Sequence, residues 1–118
     1  MSAIKYLHEE LKFEIYETKG YKALMRPKYS KDLFESFYNS TRIGEKIGET
    51  AIAVNLMLRE YGFIKRQANN EWYPLKEKCH LCIVQVINDR NVFIRWNPSI
   101  VMTRMVEAFY LGDPLNPG

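Results

Sequence analysis

The stretch TAIAVNLMLREYGFIKRQANNEWYP, residues 50–74, constrains the fold more than any other part of the chain. Thr50 offers a hydroxyl to cap a helix, and Ala51, Val54 and Leu58 recur at spacings of three and four, which places them on one helical face. Gly62 follows Tyr61 at the position where helices exit through the left-handed conformation that most side chains avoid. FIKRQ and EWYP then read as two short strands. Ala68-Asn69-Asn70 joins them, and asparagine tolerates the positive φ that a hairpin turn requires. A capped helix that ends on glycine and runs straight into a basic hairpin has the outline of a recognition helix followed by a wing.

The flanks extend this outline. Asn39-Ser40 caps a short helix, TRIGEKIG, with Ile43 and Ile47 inward and Gly48 at its end, and Glu49 or Thr50 opens the next. Upstream, Ser30 caps KDLFESFY, with Leu33, Phe34 and Phe37 on its inner side. The first segment, SAIKYLHEELKFEIYETKGY, sets Ile4, Leu7, Leu11 and Ile15 at helical spacing with Gly20 as a stop, although KFEIYE alternates well enough for a strand. ALMRPKY reads as a connector, because Pro27 lacks a donor and biases Arg26 away from helix. Downstream, CHLCIVQVI reads as one apolar strand covered on both faces. It turns through residues 88–91 into VFIRW. Asn97 then caps a last helix that starts at Pro98 and closes at Gly112. The order predicts an α+β fold: a winged helix-turn-helix with an added C-terminal hairpin and helix. Residues 1–29 form a helix or strand extension, 30–112 the winged-helix domain and 113–118 a loose tail.

TRIGEKIGETAIAVNLMLREYGFIKRQANNEWYPLKEK also resembles the winged-helix segment at the C-terminal end of phage antirepressors of the KilA type and related prophage regulators. Ile43, Gly44, Ile47 and Gly48 correspond to the first helix of that pattern. Thr50, Ala51, Val54, Asn55, Leu58, Glu60 and Gly62 correspond to the second, and Trp72, Pro74 and Lys78 to the wing and its exit. FIRWNPSIV looks like the family's closing strand and helix, with Trp96 and Pro98 in place. The likeness covers roughly residues 33–108, and the family's N-terminal domain has no counterpart, so antirepressor activity is not carried over. The resemblance implies a small phage or prophage protein that binds nucleic acid or regulates its use.

Charge permits that role without demanding it. The net charge of the 118 residues is +3. Residues 41–78 carry seven Lys or Arg against five acids, and residues 1–29 carry six against four, whereas residues 79–118 balance to zero. The excess is modest beside that of dedicated DNA binders. Chemistry is harder to place. Structural zinc needs four ligands, and Cys79, His80 and Cys82 are joined only by His8. As strand residues, Cys79 and Cys82 point to opposite faces, which rules against a disulfide. No glycine loop has the phosphate-cradling pattern, and no nucleophile has a base in reach. The expectation is therefore no enzyme, no metal and no cofactor. The N-terminus lacks the apolar core of a signal peptide, no run is long enough to cross a membrane, and the cytoplasm of a bacterial host is the expected location.

The expected interface is with double-stranded DNA. On the helix it uses Thr50, Ile52, Asn55 and Arg59, with Asn55 able to hydrogen-bond adenine and Arg59 to meet phosphate or guanine. Arg42 and Lys46 stand on the preceding helix. Lys65, Arg66, Asn69 and Asn70 line the wing, where contacts to phosphate give affinity with little sequence information. Trp72 and Trp96 can stack on bases, though core packing is the stronger reading of both. One feature points elsewhere, because Ile52 and Leu56 put apolar side chains where a base reader carries polar ones. The alternative is a phage module that binds a host protein, such as a CRISPR effector or nuclease, and inhibits it. A homodimer is also expected, and Ile4, Leu7 and Leu11 offer one apolar surface for it.

Overall fold

The computed structural model describes residues 2–18, 21–25, 31–67 and 69–110, and the architecture is α+β. Ala3–Lys5 and Tyr6–Glu10 form one helix, α1, capped by the Ser2 hydroxyl, which accepts from the Lys5 amide. Its second half is wound wide: the Leu11 amide donates to the Tyr6 carbonyl and the Phe13 amide to that of Leu7. Strands β1 (Glu14–Thr18) and β2 (Tyr21–Met25) follow. Three helices come next, α2 (Lys31–Ser36), α3 (Ser40–Ile47) and α4 (Ala51–Glu60). A short arm is built from β3 (Ile64–Arg66) and β4 (Trp72–Pro74). A 3-10 turn over Lys76–Leu81 leads into β5 (Cys82–Ile87), β6 (Asn91–Trp96) and α5 (Pro98–Tyr110).

Four strands make one antiparallel sheet in the order β1-β2-β5-β6. Because β2 pairs with β5, residues 26–81 are inserted between two adjacent strands. One face of the sheet, carrying Leu24, Val84, Val86, Val92 and Trp96, turns into the core. Ile83, on the opposite face, is buried as well, so that end of β5 is covered on both sides. The seam between sheet and insertion is Trp96, which is 1% exposed. Its amide and carbonyl exchange two 2.8 Å hydrogen bonds with Tyr38, and its ring meets Phe63 edge-on at 5.4 Å.

Four expectations are corrected. The helical series of the N-terminus stops at Glu10, and Ile15 belongs to β1, because the alternation of KFEIYE prevails once β2 is there to pair with it. Ala23, Leu24 and Met25 are strand residues, and the connector is shorter than expected. Cys79 lies in the 3-10 turn and only Cys82 enters β5, so the two are not strand neighbours on opposite faces. Both are buried free thiols, the Cys82 Sγ donating to the Cys79 carbonyl, and burial pushes the Cys82 thiol well above its ordinary range. Leu7 and Leu11 are enclosed within the chain, which removes them from any dimer contact. Ser30 and Gly112, expected as caps, lie outside the described residues.

The turn between β5 and β6 ties the sheet to α1. Asn88 and Asp89 both adopt φ 54°, and the Asp89 Oδ1 accepts from the Ile4 amide at 2.8 Å. Partial burial raises the Asp89 carboxyl, but hydrogen bonds from Ser2, Ile4 and Ala3 and the charge of Lys22 outweigh it and hold it below its ordinary 3.8. A lowered folded value stabilises the fold above that ordinary value, and the stabilisation is lost as pH falls through the folded one. The effect is small because the carboxylate is exposed to screening. Thermal melts between about pH 5 and about pH 3 check it: Asp89→Asn melts lower than the parent at the upper end, and the gap closes at the lower end.

Candidate nucleic-acid interface

The helix pair is held by its caps. Asn39 accepts from the Arg42 amide at 2.9 Å and starts α3, and Gly48, at φ 77°, ends it with the Glu49 amide donating to the Gly44 carbonyl. The Thr50 hydroxyl accepts from the Ala53 amide at 3.1 Å and starts α4. Gly62, at φ 79°, releases the chain toward the arm, and the Phe63 amide closes the helix on the Leu58 carbonyl at 2.8 Å. Val54 and Leu58 are fully buried, so α4 is fixed in rotation. Its outward face then carries Ile52, 75% exposed, and Leu56, 43% exposed, with Arg59 on the same side.

Asn55 sits on the flank of that face, where the Ser40 hydroxyl donates to its Oδ1. Thr50 is occupied as a cap. Arg59 is exposed and 3.5 Å from Glu60, a contact that contributes little at such exposure. On α3, Arg42 lies over the Tyr38 ring at 4.6 Å, and Lys46 is exposed. The helices therefore bring Arg42, Lys46, Ile52 and Arg59 to solvent, while Thr50 and Asn55 have partners within the chain.

The arm uses its polar residues to build itself. Asn70, at φ 65°, accepts from Arg66 Nη1 through its carbonyl at 2.7 Å and its Oδ1 at 3.1 Å. The Arg66 guanidinium lies 4.2 Å from the centre of the Trp72 ring, its direct cross-strand partner. Asn69 donates to the Tyr73 hydroxyl at 2.9 Å and accepts from the Glu71 amide. Burial raises the Tyr73 phenol above its ordinary value, against the lowering effect of Asn69. Gln67 donates to the Tyr6 hydroxyl at 2.9 Å, and Tyr6 meets Tyr73 edge-on at 5.1 Å, so α1 braces the arm toward its turn. Lys65 and Arg66 are both exposed, on opposite faces as the strand alternation requires. Asn69 and Asn70 are turn-builders rather than free contacts.

Sequence reasoning missed what lies between these parts. A cavity opens beside α4, lined by Ser40, Thr41 and Asn55 on the helices, Trp72 on the arm, and Phe93 and Arg95 on β6. Its walls come from segments far apart in the sequence, an arrangement that no local pattern reveals. Trp72, considered for stacking, is half-buried at this cavity, whereas Trp96 is core. Among the described residues no three His, Cys, Asp or Glu side chains gather as a metal site, and no helix is long and apolar enough to cross a membrane. No protein-family model, curated protein or solved structure matches the chain.

Gly44 sets how closely α3 and α4 approach. A Cβ there would stand well inside contact distance of the Glu49 carbonyl oxygen, a backbone atom that cannot swing aside. Gly44→Ala is expected to cost about 1–3 kcal/mol in denaturant unfolding. An unchanged midpoint would show that the turn opens without strain.

Proposed function

We propose that this chain is a small phage or prophage regulatory protein of winged helix-turn-helix plan that binds double-stranded DNA. In this reading α3 and α4 are the helix-turn-helix, α4 enters the major groove and the β3–β4 arm is the wing. The observation that carries it is that Arg42, Lys46, Arg59, Lys65 and Arg66 are all exposed and that the outward face of α4 is open. Phosphate contacts by these cations supply the affinity. Base reading is weak on this surface, since Thr50, Asn55, Asn69 and Asn70 are engaged internally and Ile52 can touch only a thymine methyl. The protein would act in the cytoplasm of the bacterial host as a homodimer, through surfaces other than Leu7 and Leu11.

Gel-shift titration on random and prophage duplexes tests the proposal. Five phosphate contacts would give log affinity against log salt a slope of about −4.5. Lys65→Ala is expected to weaken binding evenly across sequences and to flatten that slope by about 1. Absence of a shift at low salt with protein at about micromolar concentration would end the DNA reading.

A second reading is favoured by Ile52 and Leu56, exposed one helical turn apart. Here α4 docks on a host defence protein and inhibits it, and the cations form the rim. Ile52→Lys separates the two. An added cation on a groove-facing helix raises DNA affinity severalfold, whereas the same charge in the middle of an apolar protein contact abolishes capture of the partner.

A further inference from the structure

The cavity beside α4 encloses about 340 Å³, within the range of small-molecule sites. We propose that it binds a nucleobase, stacked against Trp72 and Phe93 and held at its edge by Asn55. The inference stands apart from the DNA-binding reading, because it concerns a single unpaired base and not a duplex laid on α4.

Three features select that chemistry. The first is two aromatic residues that line the cavity from different elements. Trp72 comes from the arm, and Arg66 lies over its ring and fixes the indole. Phe93 comes from β6 and is 49% exposed, a large ring left open at a cavity rim. Rings of this kind stack on any base, since every base has a π-face.

The second feature is a set of oriented hydrogen-bonding groups. Ser40 donates to Asn55 Oδ1 and thereby fixes the amide, leaving the Nδ2 hydrogens for carbonyl and ring-nitrogen acceptors. Thr41 lines the same cavity. Strand β6 is the edge of its sheet, and Trp96 turns its amide and carbonyl outward to Tyr38. Ile94, two residues earlier, turns its own backbone groups the same way, onto the side that the cavity occupies. A donor and an acceptor of the main chain thus join the amide of Asn55.

The third feature is charge. No carboxylate is among the residues that line the cavity, and Arg95 is. The Arg95 guanidinium is held 4.3 Å over the Phe34 ring with Nη1 3.4 Å from the carbonyls of Phe34 and Phe37, so its plane is set. Arg66 lies on the same face of the arm as Ile64 and Trp72, both of which line the cavity. A cation is disfavoured there, and a neutral ring carrying a phosphate is suited. That ring belongs either to a free nucleotide or to an unpaired base of a nucleic-acid strand.

The test uses the full chain, titrated by calorimetry and tryptophan emission. One arm takes the four ribonucleoside 5′-monophosphates, and the other a short single-stranded oligodeoxynucleotide. Phe93→Ala removes an exposed ring. Asn55→Asp keeps the acceptor for Ser40 but replaces the amide donors with negative charge. Saturable binding in at least one arm, weakened about tenfold or more by each variant whose melting matches the parent, is the expected result. Saturation by nucleotide alone identifies a free ligand, and saturation by the oligonucleotide alone identifies a strand. Should Asn55→Asp fail to fold, Phe93→Ala decides. Lack of saturation in both arms, or binding that a folded variant leaves intact, overturns the assignment.

Discussion

Trp96 is enclosed by segments that lie far apart in the sequence, and the relation between the sheet and everything inserted into it depends on that enclosure. Tyr38 grips its backbone from the linker before α3, Phe63 meets its ring from the entry to the arm, and β5 pairs along its other edge. Truncating a buried tryptophan typically costs about 3–5 kcal/mol, a large share of the marginal stability of a domain this size. Here the loss would be more than energetic. Residues 26–81 leave the sheet at β2 and return at β5, so without the seam the helix pair and arm could tilt against the sheet. The cavity and the orientation of α4 toward the arm both descend from this one ring.

With α4 locked by Val54 and Leu58, its outer surface is decided by which residues remain. Those residues include Ile52 and Leu56, with Arg59 on the same side. Exposed apolar side chains at that spacing add nothing to a phosphate contact, while each cation adds counterion release on any sequence. On the DNA reading the electrostatic contribution would therefore carry the affinity, and discrimination among sequences would be poor. This division explains how one surface sustains two readings. The cations argue for nucleic acid, Ile52 and Leu56 argue for protein, and both classes of residue are exposed.

The helix pair and the arm were legible because their boundaries are written in local chemistry. Asn39, Thr50, Gly48, Gly62 and Asn70 adopt the cap and turn conformations that their residue types favour. The N-terminus was not, because Ile15 satisfies a helical and a strand periodicity at once, and only β2 decides between them. Cys79 reads as strand by hydropathy, yet the chain needs a tight turn there before β5 can begin. The candidate contacts divide by reach. Arg42, Lys46, Arg59, Lys65 and Arg66 are long and arrive at solvent as expected, although Arg42 and Arg66 also stack on rings. Thr50, Asn69 and Asn70 are short, and a nearby donor or acceptor claims each before a ligand can, while Asn55 accepts from Ser40 through Oδ1 and keeps its Nδ2 hydrogens.

The cavity is the least legible part, since Ser40, Trp72 and Phe93 are separated by long stretches of chain and meet only in the fold. Its position bears on the interface nevertheless. Asn55 belongs to a cavity wall and to the flank of the α4 face, and Arg66 belongs to the exposed arm and to the stack on Trp72. A phosphate drawn to Arg66 from a duplex and a phosphate attached to a base in the cavity would compete for one guanidinium. Occupancy of the cavity and contact of the arm with duplex would then be antagonistic. Coupling of this kind needs no conformational change, because both ligands draw on the same side chain.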